Sequence, residues 1–299
     1  MAAVILPFHD ETGLADVVAS ALGATRGELE IRCFPDGESY VRIASDVRTA
    51  DVVIAGSLDR PDSKMLALYL AASTARDLGA RRVILATPYL PYLRQDARFR
   101  TGESLSALHV ARLLSTFLDG LVTLDPHLHR IARLDDVFSI PTLAASAGEA
   151  IAAWIRKNVP DPVLIGPDVE SEQWVSRIAA LAACPFAVLS KTRRGDRDVD
   201  IRIDIPGVDR ERTPVLVDDI VSTARTMIAA LGALRASGAR TPFCVGVHAL
   251  FGGDAYGELL RAGAAAVVSC NAVAHPSNGI DIRPDIAVSV ARMLADFQS

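Results

Sequence analysis

The sequence predicts an α/β protein of two tandem units, each a mainly parallel sheet flanked by helices. Three observations predict it. Short apolar runs alternate with Ala/Leu-rich stretches of helical period along the chain, the pattern of buried strands layered against helices. The length of 299 residues suits about two domains. One stretch also echoes another. Residues 53–90 read strand, polar loop, helix ending LGARR, strand VILATPY, and residues 215–250 read strand, polar loop, helix ending SGART, strand VGVHAL. Any two strand–helix–strand units look somewhat alike, so the echo alone gives duplication and coincidence almost equal weight.

In the first half, VILPF (4–8), DVVIAG (51–56), RVILATPYL (82–90) and LVTLD (121–125) read as strands. In the second, PVLIGPD (162–168), PFAVLS (185–190), PVLVDD (214–219), PFCVGVHAL (242–250) and AAVVSC (265–270) do so. Between them, residues 64–80 and 224–239 carry helical spacing, while EIRC, SDVRTA and DIRI look like hairpin or edge pieces. The boundary is expected near PTLAASAGEA, residues 141–150, with a first unit over 1–144 and a second over 145–284. The closing PDIAVSVARMLADFQ reads as an amphipathic helix that can join the first unit as residues 285–299.

Composition narrows the function. Hydrophobic residues make up 50% and charged residues 22%, an ordinary globular balance. A net charge of −5 argues against a general nucleic-acid binder, which shows a basic stripe. Any bound anion must meet a local cluster of positive groups. Cys33, Cys184, Cys244 and Cys270 form no CxxC pair and read as buried free thiols in a reducing compartment. The opening MAAVILPFHDET has no basic n-region and reads as a first strand, and no apolar run is long enough to span a bilayer. A cytoplasmic protein, with no membrane partner, is expected. Arginine dominates the basic residues, the lysines being Lys64, Lys157 and Lys191.

The stretch VLVDDIVSTART, residues 215–226, carries the main chemical signal. Its apolar strand ends in Asp218 and Asp219, followed by small and hydroxyl residues before a helix. Ligands of open parallel sheets bind at the carboxyl ends of strands, and backbone N–H groups at a helix start attract phosphate. Ser222, Thr223 and Thr226 add hydroxyls; Asp218 and Asp219 can accept hydrogen bonds from vicinal hydroxyls of a sugar. The plainer reading is an N-cap with a solvated acidic pair.

This stretch closely resembles the phosphoribosyl-diphosphate-binding motif of type I phosphoribosyltransferases and of ribose-phosphate diphosphokinases. The resemblance implies that the acidic pair holds ribose hydroxyls and that Ser222, Thr223, Ala224, Arg225 and Thr226 hold the 5-phosphate. Two tandem type I phosphoribosyltransferase-like domains are the implied fold. Other motifs match the diphosphokinase family in its order. FPDGESYVRI (34–43), by itself only a turn signal, resembles the adenine-site motif. It implies that Phe34 stacks on adenine while Asp36, Gly37 and Glu38 line its edge. In that family this loop serves a neighbouring subunit, so a homo-oligomer, dimer or hexamer, is implied.

PYLPYLRQDARFRTGESLSALHVARLL (88–114) matches the family's long PY…RQD segment. Its Arg94, Arg98 and Arg100 would otherwise read as a solvated face; the resemblance puts Arg94, Gln95 and Asp96 on ATP. In LDPHLHR (124–130), His127 and His129 alternate, so on a strand they would face one way and could bind a transition metal. The family's D-x-H segment places His127 near Mg²⁺. Asp168, in GPD, matches the metal-site aspartate. Magnesium prefers oxygen and keeps water, so His127 is expected to act through nucleotide or water. SKTRRGDRDVDI (190–201) looks like a mobile basic loop, in which Lys191 and Arg193 match the catalytic K-x-R pair.

Two departures stand out. Arg225 replaces a glycine of the usual T-G-G-T or T-A-G-T loop, a strained exchange if that position needs positive φ and a harmless one if it already lies in the first helical turn. After Asp168, Glu170 and Glu172 add negative charge in VESEQWV. The expected activity is Mg²⁺-dependent transfer of the diphosphoryl group of ATP to ribose 5-phosphate. A phosphoribosyltransferase would lack the FPDGE and RQD segments. A catalytically weak or regulatory relative is a second alternative, kept open by Arg225 and the two glutamates, and a kinase or diphosphokinase acting on a different phosphorylated sugar is a third.

Overall fold

The computed structural model describes residues 2–168, 171–194, 198–202 and 211–298, with the side chains of 190–202 outside that description. It divides into two units: residues 1–146 with 282–299, and residues 147–281.

In the first unit, β1 (Ala3–Pro7), α1 (Leu14–Leu22) and β2 (Thr25–Arg26) lead into a hairpin of β3 (Leu29–Cys33) and β4 (Ser39–Ile43). Then come β5 (Asp51–Ala55), α2 (Met65–Asp77), β6 (Arg82–Ala86), α3 (Ser106–Ser115), β7 (Gly120–Leu124) and β8 (Thr142–Ala145). Six strands form one sheet in the order β2-β1-β5-β6-β7-β8, every neighbouring pair parallel. β5 and β7 are buried at every residue. That is why they appear in sequence as unbroken apolar runs: helices cover both faces of a parallel sheet. Leu6, Phe8, Ile54, Leu68, Leu85, Leu114 and Leu121 belong to the core.

The second unit holds α4 (Gly148–Asn158), β9 (Pro162–Gly166), α5 (Glu172–Ala182), β10 (Phe186–Val188), and a ribbon of β11 (Ser190–Arg194) and β12 (Asp198–Arg202). β13 (Thr213–Val221), α6 (Arg225–Ala236), β14 (Phe243–Ala249), α7 (Ala255–Arg261), β15 (Val267–Cys270) and β16 (Asn278–Ile280) complete it. Its sheet runs β10-β9-β13-β14-β15-β16, again parallel throughout. The two orders are the same when strands are counted within each unit. The likeness extends to the inserted antiparallel ribbon, which in both cases follows the second sheet strand and precedes the third. The echo read from residues 53–90 and 215–250 therefore covers whole units. The closing helix α8 (Arg283–Asp296) belongs to the first unit.

Several sequence expectations need correction. SDVRTA (45–50) forms turns rather than a strand. The 190–201 segment, expected as a loop, has strands on both sides of residues 195–197, paired from Ser190↔Arg202 to Arg194↔Asp198. Residues 195–197 and the side chains of Lys191 and Arg193 lie outside the description, as does Glu170. Cys33 is exposed and Cys184 half-buried, so only Cys244 and Cys270 are buried thiols.

Candidate functional site

In the second unit, the acidic pair sits inside β13 rather than at its end: the strand continues through Asp218 and Asp219 to Val221. Ladder pairing with β14, from Val215↔Phe243 to Val221↔Ala249, holds it extended that far. Asp218 Oδ1 accepts a hydrogen bond from the Asp219 amide at 3.1 Å, and Asp219 Oδ1 accepts one from the Ile220 amide at 2.8 Å. Both residues are half-buried. Burial, then the charges of Asp219 and Asp168, push the Asp218 carboxyl well above the usual carboxylate range. Asp168 follows β9; its Oδ1 accepts from the Ser171 amide at 3.2 Å, and its carbonyl accepts from Ser171 Oγ at 2.6 Å. The sheet edge thus gathers three carboxylates whose mutual repulsion a cation or a set of hydroxyl donors would relieve.

The loop after β13 is short and braced from one side. Val221 O accepts from the Leu250 and Phe251 amides at 3.1 and 3.0 Å, and Ser222 O accepts from the Gly252 amide at 3.1 Å. Those bonds use the loop's carbonyls. Among the described residues, the amides of Thr223, Ala224, Arg225 and Thr226 find no acceptor. Ala224 carries the left-handed conformation, φ 55° and ψ 7°, and caps α6, whose first residue is Arg225. The exchange of glycine for arginine at 225 therefore falls on a helical position and stores no backbone strain. Thr223 and Arg225 are exposed, and Thr226 is half-buried. Unbonded amides at a helix start form a ready anion site.

In the first unit, β3 and β4 end in a tight turn. The Phe34 amide donates to Glu38 O at 2.8 Å and the Gly37 amide to Phe34 O at 2.9 Å, with Gly37 at φ 93°, a conformation that favours glycine. Phe34 is 40% exposed, and Asp36, Gly37 and Glu38 are exposed beside it. Sequence reasoning missed Arg32 and Tyr40, which pack against Phe34. Their alternation with Phe34 was visible, but the cross-strand register that makes Arg32 face Tyr40 was not.

The RQD segment divides. Arg94 is exposed. Gln95 Oε1 accepts from Ser106 Oγ at 2.7 Å, tying the segment to the start of α3. Asp96, its side chain 3% exposed, accepts from the Arg130 amide and from Arg130 Nη1, both at 3.0 Å. Burial raises its pKa, but the Arg130 hydrogen bonds and charge outweigh that and hold it below the ordinary value. Asp96 is thereby engaged in joining two loops. Arg98, Phe99, Arg100, Thr101, Gly102 and Glu103 line an open cavity of about 550 Å³. Glu103 organises it by accepting from the Phe99 and Arg100 amides at 2.8 and 3.0 Å. His127 and His129 lie past the end of β7, not on a strand. Their rings nevertheless lie 4.0 Å apart, tilted by 44°.

Two parallel sheets of one order, each with a ribbon inserted at the same place, and an acid pair leading into an unbonded amide loop define a tandem phosphoribosyltransferase-like protein. Residues 3–117 match the family model of the N-terminal domain of ribose phosphate pyrophosphokinase, and residues 134–285 match that of the phosphoribosyl transferase domain. The chain is 31% identical to the ribose-phosphate pyrophosphokinase of Methanopyrus kandleri, covering 97% of this chain and 99% of that one. It is 30% identical to the protein of the same name from Saccharolobus solfataricus, covering 97% and 100%. Its fold matches the crystal structure of phosphoribosylpyrophosphate synthetase from Mycobacterium smegmatis at a TM-score of 0.86, with 24% identity over 99% of this chain and 100% of that one. The chain belongs to the ribose-phosphate pyrophosphokinase family, a family of kinase-type transferases.

Proposed function

We propose that this chain transfers the β,γ-diphosphoryl group of ATP to the C1 hydroxyl of ribose 5-phosphate. The C1 oxygen bonds to the β-phosphorus, the bond from that phosphorus to the α,β-bridging oxygen breaks, and AMP leaves with the bridging oxygen. The hydroxyl proton passes to solvent. Phosphoribosyl diphosphate is the product. The observation that carries this reading is the β13 edge: two neighbouring carboxylates for vicinal hydroxyls, then four amides without an acceptor for a phosphate. Asp218 and Asp219 hold the ribose, and residues 222–226 hold the 5-phosphate. Phe34, Asp36, Gly37 and Glu38 take the adenine; Arg94 and Gln95 take the ATP phosphates, with Asp96 fixing the loop through Arg130.

Positioning and charge stabilisation dominate such transfers, and Lys191 and Arg193 on β11 supply positive charge to the moving diphosphoryl group. Mg²⁺ fits the carboxylates better than the imidazoles. Asp168 offers a hard oxygen beside a carboxyl whose pKa is raised first by burial and then by neighbouring negative charge, whereas His127 offers a nitrogen suited to helping through water or nucleotide. When bound, Mg²⁺ neutralises phosphate charge. The chain acts as a homo-oligomer, dimer or hexamer, in the cytoplasm. Among the described residues no helix is long and apolar enough to cross a membrane.

The test is AMP release from ATP with and without ribose 5-phosphate and Mg²⁺. Release that needs all three supports the reading; none under any condition removes it. Lys191→Ala should lower kcat by about 10²-fold or more, in line with loss of a charge acting in the transition state, while ribose 5-phosphate affinity stays near wild type. Near-normal turnover in that variant removes the role given to Lys191.

A further inference from the structure

The β3–β4 hairpin raises a packing question that the adenine reading leaves open. Its strands are half-buried or exposed at every residue except Ile43. The hydrophobic core therefore does not hold the Phe34 ring, and an exposed aromatic on a two-stranded ribbon would sample several rotamers. Ordering such a side chain on binding costs conformational entropy that is subtracted from the affinity.

Two neighbours restrict it beforehand. Arg32 and Tyr40 are opposed across the ribbon, in register. The Arg32 guanidinium carbon lies 3.9 Å from the Tyr40 ring centroid and 4.8 Å from that of Phe34. The Phe34 and Tyr40 rings meet edge to face, centroids 6.0 Å apart and planes at 89°. Glu30 Oε1 lies 3.5 Å from Arg32 Nε and gives the guanidinium a charge partner on its own strand. Arginine suits this place better than lysine, because a planar guanidinium stacks on a ring while an ammonium only approaches it. The cation occupies one side of the Phe34 ring, and two-fifths of the residue remains open to a flat partner.

We infer that Arg32 and Tyr40 are positioning residues that pre-set Phe34 for stacking against a purine base. This rests on the reading of Phe34 as the adenine-stacking residue. The same stack favours purines over pyrimidines, since the larger ring system covers more of a ring already fixed in place.

The experiment measures binding of α,β-methylene-ATP to the full-length protein by calorimetry, with melting midpoints and steady-state kinetics alongside. The variants are Phe34→Ala, Arg32→Ala, Arg32→Lys and Tyr40→Leu. Phe34→Ala should weaken the analogue by about 5- to 150-fold, the range of one base–aromatic stack. Arg32→Ala and Tyr40→Leu should weaken it by about 2- to 5-fold, the range of an exposed cation–π contact. Arg32→Lys should recover part of the loss. The preference for ATP over CTP should shrink in Arg32→Ala, with the KM for ribose 5-phosphate and the melting midpoint unchanged. If Phe34→Ala weakens binding but Arg32→Ala does not, the inference fails and the adenine reading stands. If Phe34→Ala binds normally, both fail. A fall in melting midpoint with equal losses for both substrates would mark Arg32 as structural and overturn the inference.

Discussion

Asp218 trades stability for binding. Its raised pKa means that the folded chain binds a proton there more tightly than the unfolded chain does. The stability this contributes is fully present below the ordinary carboxylate pKa and is lost as pH rises toward the folded-state value. Asp218→Asn removes that loss. The ligand-free variant should melt above wild type at neutral pH, by about 2–4 °C for each kcal/mol relieved. The gap should close on acidification to about pH 4. The same variant should bind ribose 5-phosphate about 10- to 150-fold more weakly, the cost of losing a hydrogen bond to a charged group. Calorimetric melting across pH and titration with ribose 5-phosphate check the two halves separately; a variant that melts like wild type at neutral pH contradicts the first. The acid pair and its loop were legible in the sequence, because an apolar run ending in two aspartates is a local signal. Two things were not. The positive φ sits at Ala224, one residue before the arginine that drew attention. Asp96 is claimed by Arg130, a partner 34 positions away that no local pattern names.

At the scale of elements, α8 shows what periodicity leaves out. Its apolar spacing marks a helix, yet nothing local says which unit it covers. Long-range contacts decide it. Arg82, at the start of β6, lies 4.7 Å over the Phe297 ring, and its Nη2 donates to Phe297 O at 2.9 Å. Gly120, at the start of β7, leaves the room: a Cβ there would lie 3.1 Å from Met293 Sδ and 3.3 Å from the Phe297 ring. Arg283 Nη1 reaches back to Thr12 O at 2.9 Å. Phe297→Ala should destabilise the first unit by about 1–3 kcal/mol and expose α8 to limited proteolysis ahead of the sheet. Gly120→Ala should do the same through crowding. Equal protease resistance in wild type and both variants would mean that the packing of α8 does not depend on this contact. The inner strands of the parallel sheets were read well for the opposite reason: burial on both faces leaves a continuous apolar signature within each strand, which the short marginal strands β2, β8 and β16 lack, and those three were missed.

At the scale of the whole chain, one architecture occurs twice with different chemistry on it. The loop after β5 and the loop after β13 follow equivalent strands. In the first unit Lys64 Nζ donates to Ser57 O at 3.0 Å and to Asp59 at 2.6 Å, closing the loop on itself, where the second unit keeps four amides unbonded. The inserted ribbons diverge likewise: β3–β4 presents Phe34 and its acidic turn, while β11 carries Lys191 and Arg193. On the proposed function, the first ribbon serves the site of a neighbouring subunit and the second serves its own. That arrangement has a consequence that a site built within one subunit lacks. Phe34→Ala and Lys191→Ala homo-oligomers are each impaired, but in a mixed oligomer one site combines the intact Lys191 of the first variant with the intact Phe34 of the second. Dissociating the two variants, mixing them and reassociating them should restore activity well above the mean of the separate preparations, approaching about a quarter of wild type at equal random mixing and about half within each mixed dimer. A mixture no more active than that mean, with subunit exchange confirmed by native mass spectrometry, would place Phe34 and Lys191 at the same subunit's site and remove the shared-site part of the proposal while leaving the reaction itself in place.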